Sequence, residues 1–311
     1  MSGGAAKRQK VDDGGDKECE RGPLPLSFLS LNLNGICTRL EKQGGHWLKG
    51  IANLVEEKDP DVIAFQEVKL TAKAPAGAAR NDGQPRQRDT PYDNDKQNDW
   101  QMVCARFLDK EQWCQLYTPY FSCADWRYAG TLTLFKKTLR KPEKFFFNLD
   151  LEEGGRHDSN GRVCIAQYST GLRVANFYAP NNGYNEEKNF ISRRAWDASL
   201  LGFVKRTQRE QRQLVIIGDL NVAHQRSDVS HPHWFLAQGE KVRAFGKAAK
   251  MPTHHVTTSD YGQAGFTPNE QLRFGKVLED GGLIDSFREL HPEGVGPDID
   301  DANWSWRGSE H

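Results

Sequence analysis

The amino-acid sequence predicts an α/β fold built as a four-layer sandwich, in which two packed mixed β-sheets are flanked by helices. Apolar runs of strand length alternate along the chain with segments of helical spacing. Hairpin turns and helical crossovers are mixed, which favours two packed sheets over one doubly wound sheet. The continuous apolar run at 214–217 indicates a strand covered on both faces, which we expect to be a central strand beneath helices.

The predicted elements follow in chain order. Runs at 27–33 and 61–65 have strand length, and the residues from 46 to 57 between them have helical character. Segments rich in β-branched and aromatic residues predict three further strands, at 130–135, 161–168 and 172–178. The turn residues at 169–171 make the last two strands antiparallel neighbours. A helix is then predicted from 186 to 208 by apolar residues at helical spacing, namely Trp196, Leu200, Phe203 and Val204.

Composition limits the class of protein. A chain of 311 residues with 37% hydrophobic content can bury the core of one large domain. Because Lys+Arg and Asp+Glu are both 42, any surface for nucleic acid must come from local clustering of charge. The six cysteines lack the pairing of a zinc site, so we expect reduced thiols in an intracellular protein. No apolar run approaches the roughly 18 residues of a membrane span, so we expect a soluble protein without a membrane partner.

Three polar segments lie outside the predicted core. Residues 1–24 form a tail in which the basic cluster at 7–10 resembles a nuclear import signal or is an ordinary solvated charge run. Residues 71–98 read as a disordered surface insertion. A basic insertion at 231–262 either follows a phosphate backbone or is a solvated helix, and the second interpretation is favoured.

Four short segments place acidic, amide or phenol side chains at predicted strand ends, where loops on a rigid sheet often build active sites. Each alone has a structural explanation: Asn-Gly at 34–35 as a turn, Glu67 as a solvated charge, and Tyr178 as a core tyrosine before a Pro-Asn turn. The fourth segment, Gly-Asp-Leu-Asn-Val-Ala-His at 218–224, is more specific. Asp219 follows a strand too apolar to hold an unpaired charge, and period two places Asn221 beside it.

Together these motifs resemble the endonuclease/exonuclease/phosphatase superfamily, and the flanking residues resemble its exonuclease III branch of apurinic/apyrimidinic endonucleases. The flanking blocks are Asp-Pro-Asp-Val at 59–62, Tyr-Ala-Gly at 128–130, Asn-Gly-Arg-Val at 160–163, Arg-Arg-Ala-Trp-Asp at 193–197, Gln-Ala-Gly-Phe-Thr-Pro at 263–268 and Asp-Ser-Phe-Arg at 285–288. The resemblance implies a DNA repair enzyme that hydrolyses the backbone 5′ to abasic sites in double-stranded DNA, with 3′-exonuclease or 3′-phosphodiesterase activity as an additional expectation. A general nuclease or phosphatase of the superfamily, or an inactive DNA-binding fragment, remains the alternative.

The resemblance also implies roles for single residues. Asn32 and Glu67 match residues of a metal site for Mg²⁺, with Mn²⁺ as a substitute. Asp219 matches a residue of the same site that positions or deprotonates the attacking water, and Asn221 beside it matches one that holds water, metal or transition-state oxygens. Tyr178 and Asn181 match groups that support the phosphate. Further matches are the supporting residues His224 and Asp228, the sugar-pocket aromatics Phe266 and Trp306, and the backbone-contacting Tyr128. Trp306 is equally consistent with a core aromatic. We expect the enzyme to act as a monomer in the nucleus.

Three departures from the family pattern matter, and one of them is the basic insertion at 231–262. Tyr184 stands where animal members tend to have a basic residue that reaches into the DNA. Family members continue for several dozen residues to a Ser-Asp-His motif, whereas this sequence ends at Gly-Ser-Glu-His, which we interpret as a coincidental match. We therefore expect the last strands and a catalytic histidine to be missing, and the 311-residue chain to be inactive or nearly so.

Overall fold

The computed structural model describes residues 22–42, 44–74, 77, 86–91, 103, 113–151, 157–183, 187–235, 237, 258–260 and 262–292. Within these ranges ten strands and six helices matter for the site. The strands are β1 (Phe28–Asn32), β2 (Val62–Gln66), β3 (Ala72–Lys73), β4 (Gln87–Pro91), β5 (Tyr117–Ser122), β6 (Thr131–Lys136), β7 (Lys144–Phe146), β8 (Val163–Gln167), β9 (Arg173–Tyr178) and β10 (Leu214–Asp219). The helices are α1 (Ile36–Lys42), α2 (Gly44–Lys58), α3 (Trp113–Leu116), α4 (Glu187–Arg209), α5 (Pro268–Gly281) and α6 (Ser286–Leu290).

The two main sheets share one topology. The first has the order β1-β2-β6-β5 and the second β10-β9-β8-β7. In each sheet one pair at the edge, β1 with β2 and β10 with β9, is parallel, and the remaining neighbours are antiparallel. The predicted hairpin between β8 and β9 is confirmed. Both sheets are therefore mixed, as the alternation of hairpins and helical crossovers predicts.

Three apolar layers hold the sandwich together. Helices α1 and α2 cover the outer face of the first sheet, where Ile36 and Val55 join Ile63 and Phe65 in one buried cluster. Helices α4 and α5 cover the outer face of the second sheet. Between the sheets lies a third cluster that includes Val62, Phe135, Ala166, Tyr168 and Val174. The order helix, sheet, sheet, helix confirms the predicted four-layer architecture.

Among the described residues, the run at 214–217 that was predicted to be a central strand forms an edge strand of the second sheet. Strand β10 is covered on both faces, since Leu214 and Ile216 pack on the helical side and Val215 and Ile217 pack between the sheets. Each residue of β10 is nevertheless only partly buried, because β9 is the one strand that pairs with it in the part of the chain that the structure describes. The apolar residues of β10 predicted that both faces of the strand are covered. They could not predict how many strands pair with it in the sheet.

Disorder was also predicted throughout 71–98, but two described parts of that segment, at 72–73 and 87–91, form strands. Strands β3 and β4 form a small antiparallel sheet there. Arg88 anchors it, with its guanidinium 2.8 Å from Asp125 and donating to the carbonyl oxygens of Cys123 and Ser159. The amino-acid composition of a segment cannot predict an ion pair or hydrogen bond of this kind, because the partner residues lie elsewhere in the sequence. No helix among the described residues is long and apolar enough to cross a membrane.

Candidate active site

The carboxyl ends of four strands meet at one end of the sandwich. Strands β1 and β2 end at Asn32 and Gln66, and strands β9 and β10 end at Tyr178 and Asp219. Strand β1 contacts β10 across the two sheets. Parallel strands point their carboxyl ends in one direction, so the polar residues that end them gather at one place.

A single amide joins the two carboxylates of the site. Asn32 Nδ2 donates to Glu67 Oε1 at 3.0 Å and to Asp219 Oδ2 at 2.7 Å. The other side-chain atom, Asn32 Oδ1, accepts from the backbone N–H of Asn34 at 2.9 Å, which fixes the orientation of the amide. Glu67, which follows the first sheet, and Asp219, which ends the second, therefore face each other around the Asn32 amide nitrogen.

Glu67 is held in its ionised form. Lys69 Nζ lies 2.9 Å from Glu67 Oε2 and donates to Asn34 Oδ1 at 2.6 Å. Burial raises the pKa of Glu67, but hydrogen bonds from Asn32, Lys69 and Tyr178 outweigh burial and lower it below its ordinary value. Asn34, Glu67 and Lys69 all have positive φ, at 47°, 49° and 52°, a strained conformation that often marks functional sites.

Tyr178 is a buried phenol that stays protonated at neutral pH. Burial raises its pKa most, and the negative charge of Glu67 and the hydrogen bond to it raise the pKa further. Arg162 fixes the tyrosine from the other side: Nη1 donates to the Tyr178 carbonyl at 3.1 Å, and the guanidinium lies 4.7 Å from the centre of its ring. The same guanidinium donates to the exposed Tyr128 hydroxyl at 3.0 Å, which links Tyr128 to the site.

The amides of the second sheet form a connected set. Asp219 Oδ1 accepts from the backbone N–H of Asn221 at 2.9 Å. Asn221 Nδ2 donates to the Ala179 carbonyl at 2.8 Å, and Asn221 Oδ1 accepts from Asn181 Nδ2 at 3.3 Å. Gly218 allows this close arrangement, because a Cβ there would lie 2.0 Å from the Phe177 carbonyl oxygen.

Behind these loops lies Arg193, whose role the sequence did not predict. Its buried guanidinium donates to the carbonyls of Pro180 at 3.1 Å, Leu220 at 3.1 Å and Asn221 at 2.9 Å. Asp197, one turn along α4, accepts from Arg193 Nε at 2.9 Å. The signal in the sequence was an Arg and an Asp four residues apart on a helix that is otherwise apolar on that face.

Other predicted residues make contacts away from the two carboxylates. His224 packs against the ring of Phe274, with 5.2 Å between ring centres. Asp228 pairs with Arg288 and accepts from the backbone N–H of Gln225. Phe266 is 5% exposed and packs in a small cluster with Val229 and Phe235. Their predicted roles stay predictions, and Trp306, Tyr184, the import signal at 7–10 and the basic residues Lys241, Arg243, Lys247 and Lys250 lie outside the described residues.

The donor chemistry of the site fits a hard divalent cation. Within the described ranges no three or more His, Cys, Asp or Glu side chains converge into a closed metal cluster. Mg²⁺ does not need one, because it is usually bound through one or two carboxylates, with water and a substrate phosphate completing its octahedron. Glu67 and Asp219 supply two such oxygen donors. Asn32 directs its Nδ2 at both carboxylates and its Oδ1 at the backbone N–H of Asn34, so its role as a metal ligand stays a prediction.

Known proteins match this chain over most of its length. The model of the Endonuclease/Exonuclease/phosphatase family matches residues 29–245. A DNA-(apurinic or apyrimidinic site) endonuclease of Arabidopsis thaliana is 34% identical over 305 residues, which is 97% of this chain and 75% of that protein. The enzyme of the same name from Plasmodium berghei is 29% identical over 301 residues, and the chain spans only 52% of its length.

Solved structures share the fold. The AP endonuclease of Leishmania major aligns with a TM-score of 0.57 at 18% identity, over 92% of this chain and 80% of that chain. A 3′-5′ exonuclease of Neisseria meningitidis aligns with a TM-score of 0.53 at 21% identity, over 87% and 77%. At these identities the likeness concerns the fold alone.

Proposed function

The chain belongs to the Endonuclease/Exonuclease/phosphatase family, and on that premise we propose that it is a DNA repair endonuclease that hydrolyses the backbone 5′ to abasic sites. The observation that carries the proposal is the amide of Asn32, which holds the carboxylates of Glu67 and Asp219 together beside the protonated phenol of Tyr178. The name of the Arabidopsis relative supports the abasic substrate. We also propose that the enzyme acts as a monomer.

The residues suit attack of water on a phosphodiester. Water forms a new bond to phosphorus, the bond from phosphorus to the leaving sugar oxygen breaks, and Asp219 accepts the proton that water loses. Asn221 holds Asp219 through its backbone N–H, so the base is positioned before the substrate arrives. Tyr178 remains protonated, and its single O–H, which donates to Glu67 in this structure, can donate to the oxygen on which negative charge develops once it turns from Glu67 to the substrate.

We propose that Glu67 and Asp219, with Asn32 between them, hold Mg²⁺, and that Mn²⁺ can replace it. When bound, the ion would neutralise charge on the phosphate oxygens during the attack. Glu67 suits this role because its lowered pKa keeps it a carboxylate at neutral pH. Lys69 contributes to that ionised state through its 2.9 Å contact with Glu67.

A direct test replaces each carboxylate and separates chemistry from binding. Introduced into the full-length protein, Asp219→Asn and Glu67→Ala should lower incision of an abasic duplex by at least about 10²-fold while leaving duplex binding largely intact, because affinity comes mainly from phosphate contacts elsewhere. Asp280→Asn, a surface change of the same type, serves as the matched control. A variant that cuts at the parent rate in Mg²⁺ would remove that residue from the mechanism.

Chelation tests the metal separately. EDTA should abolish incision, and added Mg²⁺ or Mn²⁺ should restore it; incision that persists in EDTA would contradict the metal assignment.

A second candidate activity is 3′-exonuclease, which the same carboxylate chemistry can serve. The burial of Phe266 against Val229 and Phe235 favours this exonuclease activity. A buried Phe266 side chain exposes little surface that could select a sugar without a base. Competition between abasic and intact duplex separates the two.

A further inference from the structure

A basic groove lies at the end of the first sheet opposite the active site. Strand β6 runs from Thr131, which pairs with Gln66 beside the site, to Lys136 at the far end. Six residues of strand span about 20 Å, which separates the groove from the site by that distance along the strand. The groove has a volume of about 330 Å³ and is lined by Lys136, Lys137, Arg140 and Lys141, with Tyr120 and Phe135 among the other lining residues.

The charge of the groove is one-sided. Among the nine residues that line it in the described part of the chain, four are cationic and none is acidic. Lys136 has an ion pair, with Nζ 2.5 Å from the exposed carboxylate of Asp59. Lys137 and Arg140 donate to neutral carbonyl oxygens, those of Cys114 and Gly22, which do not cancel their positive charges. The groove therefore favours an anionic occupant.

The amino-terminal segment of the chain starts beside this groove. The backbone N–H of Arg140 donates to the Pro23 carbonyl at 2.9 Å, and Arg140 Nε donates to the Gly22 carbonyl at 3.2 Å. The approach is close, because a Cβ on Gly22 would lie 2.6 Å from the Arg140 nitrogen. Residues 1–21, which lie outside the described ranges, therefore join the fold next to one of the four cations.

The sequence of that segment complements the groove. Residues 12–20 contain one basic side chain, Lys17, and five acidic ones, Asp12, Asp13, Asp16, Glu18 and Glu20. The nine residues can extend about 30 Å, so their carboxylates can reach every lysine of the groove. Because the segment is tethered at Gly22, its effective concentration at the groove is high, which compensates for the weakness of individual surface ion pairs.

We propose that the acidic segment 12–20 docks in the basic groove of the same chain. The contact consists of several salt-sensitive ion pairs between the carboxylates of the segment and the side chains of Lys137, Arg140 and Lys141. One consequence is that the groove is neutralised and does not act as a second, non-specific surface for nucleic-acid phosphates. The proposal is independent of the activity assigned to the site.

Zero-length carbodiimide cross-linking of the full chain tests the contact directly. We expect peptides that join carboxylates of 12–20 to Lys137 or Lys141, with a yield that falls severalfold in 1 M salt, where the screening length is about 3 Å. The exposed Lys205, on the other sheet's helix, is the internal control and should not join the segment. Cross-links spread equally over Lys205, or absent from the groove lysines, would overturn the proposal. So would cross-links formed mainly between isotopically distinct copies in a mixed sample.

A charge cycle tests the consequence, with undamaged duplex as a polyanionic probe. Replacing the five acids by their amides should raise duplex affinity and steepen its salt dependence by about 0.9 for each additional phosphate that the groove neutralises. This increase in affinity should vanish when Lys137→Gln and Lys141→Gln are also present. It should persist in the control pair Lys205→Gln and Arg209→Gln, which removes equal charge. An equal increase in both backgrounds would indicate a general charge effect and overturn the docking.

Discussion

Arg193→Met tests whether one buried guanidinium supports the loops of the active site. Met has a similar length but no charge and no N–H donors, so the substitution leaves three carbonyl oxygens, those of Pro180, Leu220 and Asn221, without their charged donors. It also removes the cation from beside Asp197, 7% exposed.

The expected loss of stability follows from these contacts. Removing one partner of a buried ion pair costs about 3–5 kcal/mol, and each deprived carbonyl adds to the cost. Arg273 offsets part of it, since it keeps an ion pair with Asp197 at 2.7 Å. We expect a loss of about 4 kcal/mol, a large share of the ~5–15 kcal/mol that stabilises a typical domain.

Glu270 gives this loss a pH dependence. Its buried carboxyl has a pKa raised by burial, and the charge of Arg193 partly opposes that rise. Without Arg193 the pKa of Glu270 should rise further. A group with a raised folded pKa contributes stability at low pH and loses it as the pH rises through that pKa. The cost of Arg193→Met should therefore be larger at pH 8 than at pH 5.

Urea unfolding followed by fluorescence and circular dichroism measures the effect. The matched control is Arg194→Met on the same helix, where the side chain donates one long bond of 3.4 Å to the Phe190 carbonyl. We expect the control to change stability by less than about 0.5 kcal/mol. The reasoning is refuted if Arg193→Met costs below about 1 kcal/mol, or no more than the control.

Three further predictions concern the site and the amino terminus. Tyr178→Phe removes a hydrogen bond that lowers the pKa of Glu67, so the acidic limb of the pH–rate profile should move to higher pH; an unmoved limb would contradict the contact. Because the folded pKa of Glu67 is lowered from 4.5, its stabilisation is present above that value and lost as the pH falls through the lowered pKa. Glu67→Gln should accordingly weaken the dependence of unfolding free energy on pH below about 4.5, measured by urea titration. Replacing Lys7, Arg8 and Lys10 by Ala should abolish nuclear enrichment of a fluorescent fusion, and unchanged enrichment would reject the import signal.

Much of the fold could be predicted because periodicity reports which faces of an element are covered. The helix predicted at 46–57 is found as Gly44–Lys58, and the helix predicted at 186–208 as Glu187–Arg209. The position of β10 could not be predicted in the same way. Its apolar residues do pack on both sides, but lateral strand pairing is made by backbone groups, which every residue type carries.

The core of the site was predictable because its residues end or directly follow strands. Asn32, Glu67, Tyr178 and Asp219 lie at the carboxyl ends of β1, β2, β9 and β10, and the fold brings those ends together. The supporting cations were harder to foresee. Arg162 acts through a backbone carbonyl and two aromatic rings, and Arg193 acts mainly through backbone carbonyls. No pattern in the sequence identifies carbonyl or ring partners.

The distance between the two carboxylates depends on how the sheets pack. Glu67 follows the first sheet and Asp219 ends the second, so the amide of Asn32 can reach both only in one arrangement of the layers. A buried hydrogen bond of 2.8 Å between Gln66 Nε2 and Asn176 Oδ1 joins the sheets directly beneath this point. Gln66 precedes Glu67 by one residue, and Asn176 shares a strand face with Tyr178 two residues later. A sliding of one sheet over the other would therefore break this bond and separate the carboxylates together, which makes the geometry of the site a property of the sandwich and not of one loop.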